Sequence, residues 1–132
     1  MLLALVILHP KLQLSKIMKI RIKGNSIRYR LTKGDVDRFS KEGYLEETVD
    51  FGQTQLIYCL KLADEQDISA NFNEGKITVL MSSKIAHEWT TTDRVGFENH
   101  SGSLYILIEK DFKCLDLVAE DQSDNYPNPN YK

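Results

Sequence analysis

The side chains best suited to chemistry in this chain are five cations near its start. From Met18 the residues alternate between apolar and charged, and a Gly24-Asn25-Ser26 turn leads into a second alternating stretch. Because strand side chains alternate between two faces and hairpin strands are adjacent, the charged residues of both stretches share one face. That face carries Lys19, Arg21, Lys23, Arg28 and Arg30. Guanidinium groups offer a planar fork of donors to phosphate or carboxylate oxygens, so the pattern predicts an anion-binding surface.

The charge distribution allows a second interpretation of these cations. The first 34 residues contain eight Lys or Arg and no Asp or Glu, although the whole chain has a net charge of −2. The basic strands would then form a solvated face that is neutralised across strands by Glu46, Glu47 or Asp50. Nucleic acid is disfavoured as a ligand, because the sequence pI is near 5.9. Tyr29 also falls at an inward-facing position of its strand, so the basic face lacks the interleaved aromatic rings on which bases stack.

A second set of chemically competent residues lies towards the C-terminus. Cys114 with His87 or His100 would form a nucleophile pair if the fold brought them together, and Asp111 or Glu109 would complete the site. The chain has no CxxC, HExxH or GxSxG motif, so the usual enzyme signatures are absent from the sequence. A Cys/His or metal-dependent hydrolase is therefore the alternative interpretation, and a catalytic site is not the leading one.

The sequence does not predict a metal site or a cofactor. Structural zinc needs four ligands, and the chain has two Cys and three His. Glu120, Asp121 and Asp124 are close in sequence, but their spacing does not match a calcium-binding EF-hand loop. These carboxylates are more typical of a solvated tail.

The local patterns predict a hairpin over 19–32 and a helix over 33–42. Thr32 is a good N-cap, and Asp35 follows it at the position of a capping box. Gly43 is placed to end the helix in a left-handed conformation.

The remaining patterns predict six more strands and a second helix. A second hairpin spans 68–81 around an Asn-Glu-Gly turn, and Ser82 or Ser83 caps a short helix that carries Trp89 as a core residue. The element order is β-β-α-β-β-β-β-α-β-β with short connections, which favours antiparallel pairing. We therefore expect an α+β fold with a mostly antiparallel curled sheet or a small open barrel and two short helices. The β-β-α stretches 18–42 and 68–91 look alike, which suggests a duplicated unit.

The chain divides into three predicted regions. Residues 1–17 are an N-terminal extension that need not be native, and their apolar run is too short to cross a membrane. Residues 18–115 form a single domain, and residues 116–132 form an acidic tail that contains Pro127 and Pro129. Two cysteines are too few for a secreted disulfide framework, which favours a cytoplasmic location.

Four segments of the chain resemble a family of small bacterial proteins of unknown function. These segments are MKIRIKGNSIRYRLT from Met18, WTTTDRVGFE, EKDFKCLDL and YPNPN. The resemblance extends from Met18 to Asn130 and implies a small cytoplasmic domain of bacterial origin, but no activity. It also implies that the first 17 residues are additional to the domain.

Together these observations favour a small non-enzymatic binding or interaction domain. Its basic hairpin face would contact a phosphate-bearing ligand or a protein partner, without a membrane. An open sheet also exposes edge strands, so a homodimer formed through such an edge is one expected assembly.

Overall fold

The computed structural model describes residues 18–112, which form eight strands and two helices. The strands are β1 (Lys19–Ile22), β2 (Ser26–Leu31), β3 (Tyr44–Asp50), β4 (Gln55–Ala63), β5 (Ser69–Asn73), β6 (Lys76–Ser82), β7 (Gly96–Ser101) and β8 (Leu104–Lys110). The helices are α1 (Lys33–Glu42), between β2 and β3, and α2 (Ser83–Thr91), between β6 and β7. The α+β class and the element order are as predicted.

The strands form two four-stranded sheets, neither of which closes on itself. Sheet A has the order β1-β2-β8-β7, and sheet B has the order β3-β4-β6-β5. The four hairpins are antiparallel, whereas the central pairs β2–β8 and β4–β6 are parallel. Most pairs are thus antiparallel, as predicted. The sequence does not predict the parallel central pairs, because in each pair at least one other strand lies between the two partners along the chain.

Residues 18–112 consist of two copies of a β-β-α-β-β unit. Lys19 lies opposite Arg30 in the β1–β2 hairpin, and Ser69 lies opposite Leu80 at the same place in the β5–β6 hairpin. Each sheet combines the first hairpin of one unit with the second hairpin of the other. The predicted duplication of a β-β-α stretch is therefore present, and it extends through the hairpin that follows each helix.

The core lies between the inner faces of the two sheets and beneath the helices. Its centre includes Tyr29, Leu60 and Ile108, all with no exposed surface. Phe39 of α1 and Trp89 of α2 meet over it with ring centroids 6.5 Å apart. The Trp89 indole N–H donates to the carbonyl of Val95 at 3.0 Å. Trp89 is therefore the core residue that the sequence predicts, with its polar group satisfied.

The caps of α1 form as predicted. The Thr32 hydroxyl accepts from the backbone N–H of Asp35, and the Asp35 carboxylate accepts from the backbone N–H of Thr32. Gly43 ends the helix at φ 71°, a conformation that a residue with a Cβ adopts only at a cost. Each helix begins directly after a strand, α1 after β2 and α2 after β6, and both lie at the same end of the molecule.

Several predictions concern residues outside the described range. They are the extension 1–17, the proposed nucleophile Cys114, the acidic cluster at Glu120, Asp121 and Asp124, and the tail 116–132. The domain boundary at 115 also lies there. Within residues 18–112, neither helix is long and apolar enough to span a bilayer.

Candidate anion-binding site

The five predicted cations lie on or beside the outer face of sheet A. In β2, Tyr29 and Leu31 point into the core with no exposed surface, so Arg28 and Arg30 point outward. Lys19 and Arg21 lie directly opposite Arg30 and Arg28 on β1. Lys23 follows at the turn, where it exchanges backbone hydrogen bonds with Ser26. The alternation in the sequence therefore brings these side chains together as predicted.

The carboxylates that neutralise part of this face come from β8 and the residue after it. Glu109 Oε2 lies 2.8 Å from Arg30 Nε and 3.5 Å from Arg28 Nε. Asp111 Oδ2 lies 2.9 Å from Lys19 Nζ. The parallel pairing of β2 with β8 places Glu109 directly opposite Arg30. Three of the five cations thus contact a carboxylate, and Arg28 and Arg30 share one.

The predicted neutralisation by Glu46, Glu47 or Asp50 is wrong. These residues belong to β3 in sheet B, so they have other partners. Glu46 lies 3.8 Å from Lys76, and Asp50 accepts from the backbone N–H of Gly52 at 2.9 Å. Glu47 accepts from the backbone N–H of Met18 at 3.4 Å, and burial raises the pKa of its carboxyl above the ordinary value.

Among the described residues, Arg21, Lys23 and Arg28 leave positive charge unbalanced on the outer face. Arg21 and Lys23 have no carboxylate partner within residues 18–112, and Arg28 shares Glu109 with Arg30. Arg21 and Arg28 lie directly opposite each other. Like charges at directly opposed positions of a sheet are destabilising. An anion bound between the two guanidinium groups would remove that repulsion.

The second unit shows that the fold does not require cations at these positions. The registers of β5 and β6 repeat those of β1 and β2, and they place a neutral residue at each equivalent position. The equivalents of the five cations, in the same order, are Ser69, Asn71, Asn73, Thr78 and Leu80. The basic face is therefore a property of sheet A and not of the shared scaffold.

Two aromatic side chains accompany the cations on sheet A. The core-facing residues of β8 are Ile106 and Ile108, which places Tyr105 on the outer face beside its cross-strand partner His100. The two rings lie 5.3 Å apart. Tyr29 is buried as predicted. The prediction that the basic face lacks aromatic rings holds for β1 and β2, but not for the whole of sheet A, because β7 and β8 contribute His100 and Tyr105. The sequence alone does not predict that these two rings lie beside the cations, because their position depends on which strand pairs with β2.

The described residues of the predicted catalytic set do not share an element. His87 is exposed on α2, and His100 is exposed on β7 beside Tyr105. Asp111 forms the ion pair with Lys19, and Cys114 lies outside the described residues. In the described part of the chain, no group of three or more metal-ligating side chains occurs. Cys59, predicted to be a small core residue, is fully buried.

Two apolar cavities lie at opposite ends of the molecule, and neither was predicted. One, of about 460 Å³, lies among the hairpin turns and includes Ile22 and Phe72, which are 58% and 67% exposed. The other, of about 710 Å³, lies beside α1 and includes Val36 and Phe112. Both volumes fall within the range of small-molecule sites. The larger cavity also has charged lining residues, among them Lys33, Lys110 and Asp111, but neither cavity is lined by a cluster of five cations like that of sheet A.

Comparison with known proteins places the chain in a family. No curated protein and no solved structure matches it. The model of DUF7009, a family of unknown function, matches residues 18–130. The match begins at Met18, where the resemblance of the sequence segments also begins. Because the match covers most of its length, the chain belongs to the DUF7009 family.

Proposed function

We propose that this protein is a non-enzymatic binding domain whose basic face on sheet A takes a phosphate group of its ligand. The observation that carries the proposal is the contrast between the two sheets. Five cations occupy sheet A, and five neutral residues occupy the equivalent positions of sheet B.

The chemistry of the face favours phosphate as the bound group. Arg21 and Arg28 are cross-strand neighbours, so an oxyanion between them would accept hydrogen bonds from both guanidinium forks. Lys23 adds a flexible point charge at the turn. Glu109 lies 3.5 Å from Arg28 and does not fully neutralise it, because its closer contact is to Arg30.

The proposal keeps the cytoplasmic location predicted from the sequence. Cys59 is a free, buried thiol, which is compatible with a reducing compartment. Within residues 18–112 the contacts do not favour the hydrolase alternative, because Asp111 is already paired with Lys19 and His100 packs against Tyr105.

The test is calorimetric titration of inorganic pyrophosphate into the full chain and into the triple variant Arg21→Asn/Lys23→Asn/Arg28→Thr. These substitutions introduce the residues that the second unit carries at the same positions, so the variant should fold normally. A hydrogen bond to a charged group contributes about 1.5–3 kcal/mol, so we expect pyrophosphate to bind at least about tenfold more weakly to the variant.

A matched control separates a specific site from net charge. Lys33, Lys41 and Lys84 are exposed on the two helices, and replacing all three with Gln removes the same amount of charge. We expect this control to bind pyrophosphate as the wild type does. Equal loss in both variants, or no binding to the wild type, would overturn the proposal.

A further inference from the structure

The aromatic pair on sheet A offers a second contact surface beside the cations. Tyr105 on β8 and His100 on β7 lie directly opposite each other, with an angle of 65° between their ring planes. The Tyr105 hydroxyl donates to the Glu98 carboxylate, which holds the ring in one orientation. That hydrogen bond is also the main reason that the pKa of Tyr105 is raised. His100 is exposed and Tyr105 is half-buried, so the pair faces solvent.

The spacing between the rings and the cations follows from the sheet geometry. Tyr105 lies opposite Ser26 on β2, and Arg28 is two residues further along the same strand. With strands about 4.8 Å apart and a rise of about 3.3 Å per residue, the Cα atoms of Tyr105 and Arg28 are about 8 Å apart. Arg21 lies one strand beyond Arg28. The Cα atoms of Tyr105 and of the two arginines are therefore about 8–12 Å apart, a span that a nucleotide can bridge between its base and its phosphates.

We propose that sheet A binds a nucleoside diphosphate, with its base stacked on the Tyr105 ring beside His100 and its phosphates held between Arg21 and Arg28. This inference rests on the proposed function, since it uses the same phosphate site and adds the class of ligand. Every nucleobase has a π-face that stacks on aromatic side chains, and arginine forks match phosphate oxygens.

The size of the surface favours a single nucleotide over a nucleic-acid strand. Sheet A presents one pair of aromatic rings next to one group of cations, whereas proteins that bind single strands track the backbone with an extended basic groove. The net charge of the whole chain is −2, which opposes a long polyanion. Three carboxylates, those of Glu98, Glu109 and Asp111, also interrupt the face.

The test compares ADP with inorganic pyrophosphate, using calorimetry on the full chain. We expect ADP to bind wild type more tightly than pyrophosphate does. Base stacking contributes about 1–3 kcal/mol by substitution, so Tyr105→Leu should weaken ADP binding at least about fivefold and leave pyrophosphate binding unchanged. Tyr105→Phe keeps the ring and removes only the hydroxyl, so it should retain most of the ADP affinity. Thermal unfolding of both variants checks that sheet A is intact.

The outcomes separate the two claims. If pyrophosphate binds but Tyr105→Leu leaves the ADP affinity unchanged, the nucleotide inference is overturned and the phosphate site stands. If pyrophosphate and ADP both fail to bind the wild type, the proposed function is overturned together with the inference. If a short oligoadenylate binds more tightly than ADP and this gain is lost in Tyr105→Leu, the ligand is a single strand and not a free nucleotide.

Discussion

Glu109 sets the charge balance of the basic face. Its side chain is only 18% exposed, and its carboxylate is closer to Arg30 than to Arg28. Arg30 is thus the closer partner of a largely buried carboxylate. We therefore assign the ligand to Arg28, which lies at the longer distance from Glu109, although Arg30 is the more exposed of the two.

The substitution Glu109→Gln should strengthen anion binding. It removes the negative charge that competes with the ligand for Arg28 and keeps an oxygen that accepts from Arg30. We expect a several-fold gain in affinity for pyrophosphate by calorimetry, since opposite charges near a protein surface interact by up to a few kcal/mol. Asp37→Asn, which disrupts an exposed ion pair on α1, is the control and should change little. A weaker affinity in Glu109→Gln would contradict the role given to this carboxylate.

Glu47 should make stability fall as the pH rises. Burial raises the pKa of its carboxyl above 4.5, so the ionised form is less favourable in the folded chain than in the unfolded one. The stabilising contribution of the protonated form is present below pH 4.5 and is lost as the pH rises through the folded-state pKa. Glu47→Gln removes this dependence and retains an acceptor for the Met18 N–H. The equivalent position of the second unit holds an amide, Asn99, which donates to the carbonyl of Ile68 at 2.8 Å.

Thermal unfolding at two pH values checks this prediction. Glu47→Gln should melt at a higher temperature than wild type near pH 7 and at the same temperature near pH 4. The exposed substitution Glu42→Gln should produce no such difference. A lower melting temperature for Glu47→Gln near pH 7 would show that the ionised carboxylate stabilises the fold.

The two helices begin at equivalent places but are capped to different degrees. Thr32 and Asp35 form a reciprocal capping box, and the fully buried Asp35 carboxylate also accepts from Arg38 at 3.1 Å. Ser82 accepts only from the backbone N–H of Ile85, at 3.1 Å. The first helix therefore depends more on its cap than the second.

Thr32→Ala should destabilise the protein more than Ser82→Ala does. Loss of an N-cap costs about 0.5–2 kcal/mol. Thr32→Ala also removes the hydroxyl that donates to the buried Asp35 carboxylate at 3.0 Å, so its cost should lie at the upper end of this range. Urea unfolding followed by Trp89 fluorescence measures both variants, with the exposed Thr48→Ala as control. Equal costs for the two caps would show that the capping box adds nothing beyond a single hydrogen bond.

Within each element, the sequence carries enough information to predict the structure. Alternation identifies the hairpin strands, and the capping and turn residues locate both helices, because these signals act between residues a few positions apart. Strand order depends on packing between distant segments, and no local pattern encodes that β8 lies beside β2. For this reason the sequence indicates the cations but not Glu109 or Tyr105. The sequence favours neutralising carboxylates on β3, the next strand along the chain, whereas those in the structure lie on β8 and just after it.

At the scale of the whole molecule, the duplicated units provide an internal comparison. Each sheet contains one hairpin from each unit, so sheets A and B share strand order and register and differ in their outer side chains. Arg30 lies opposite Glu109 in sheet A, and Leu80 lies opposite Lys61 in sheet B. Two equivalent surfaces thus carry different charges on one scaffold, which is why we assign binding to sheet A alone.

An NMR titration of the full chain with inorganic pyrophosphate tests this assignment most directly. The side-chain Nε–Hε signals of Arg21 and Arg28, together with the backbone amides of β1 and β2, should shift as pyrophosphate is added. The amides of β5 and β6, at the equivalent positions of sheet B, should not shift. Changes of the same size on both sheets, or changes confined to the two apolar cavities, would contradict a phosphate site on sheet A.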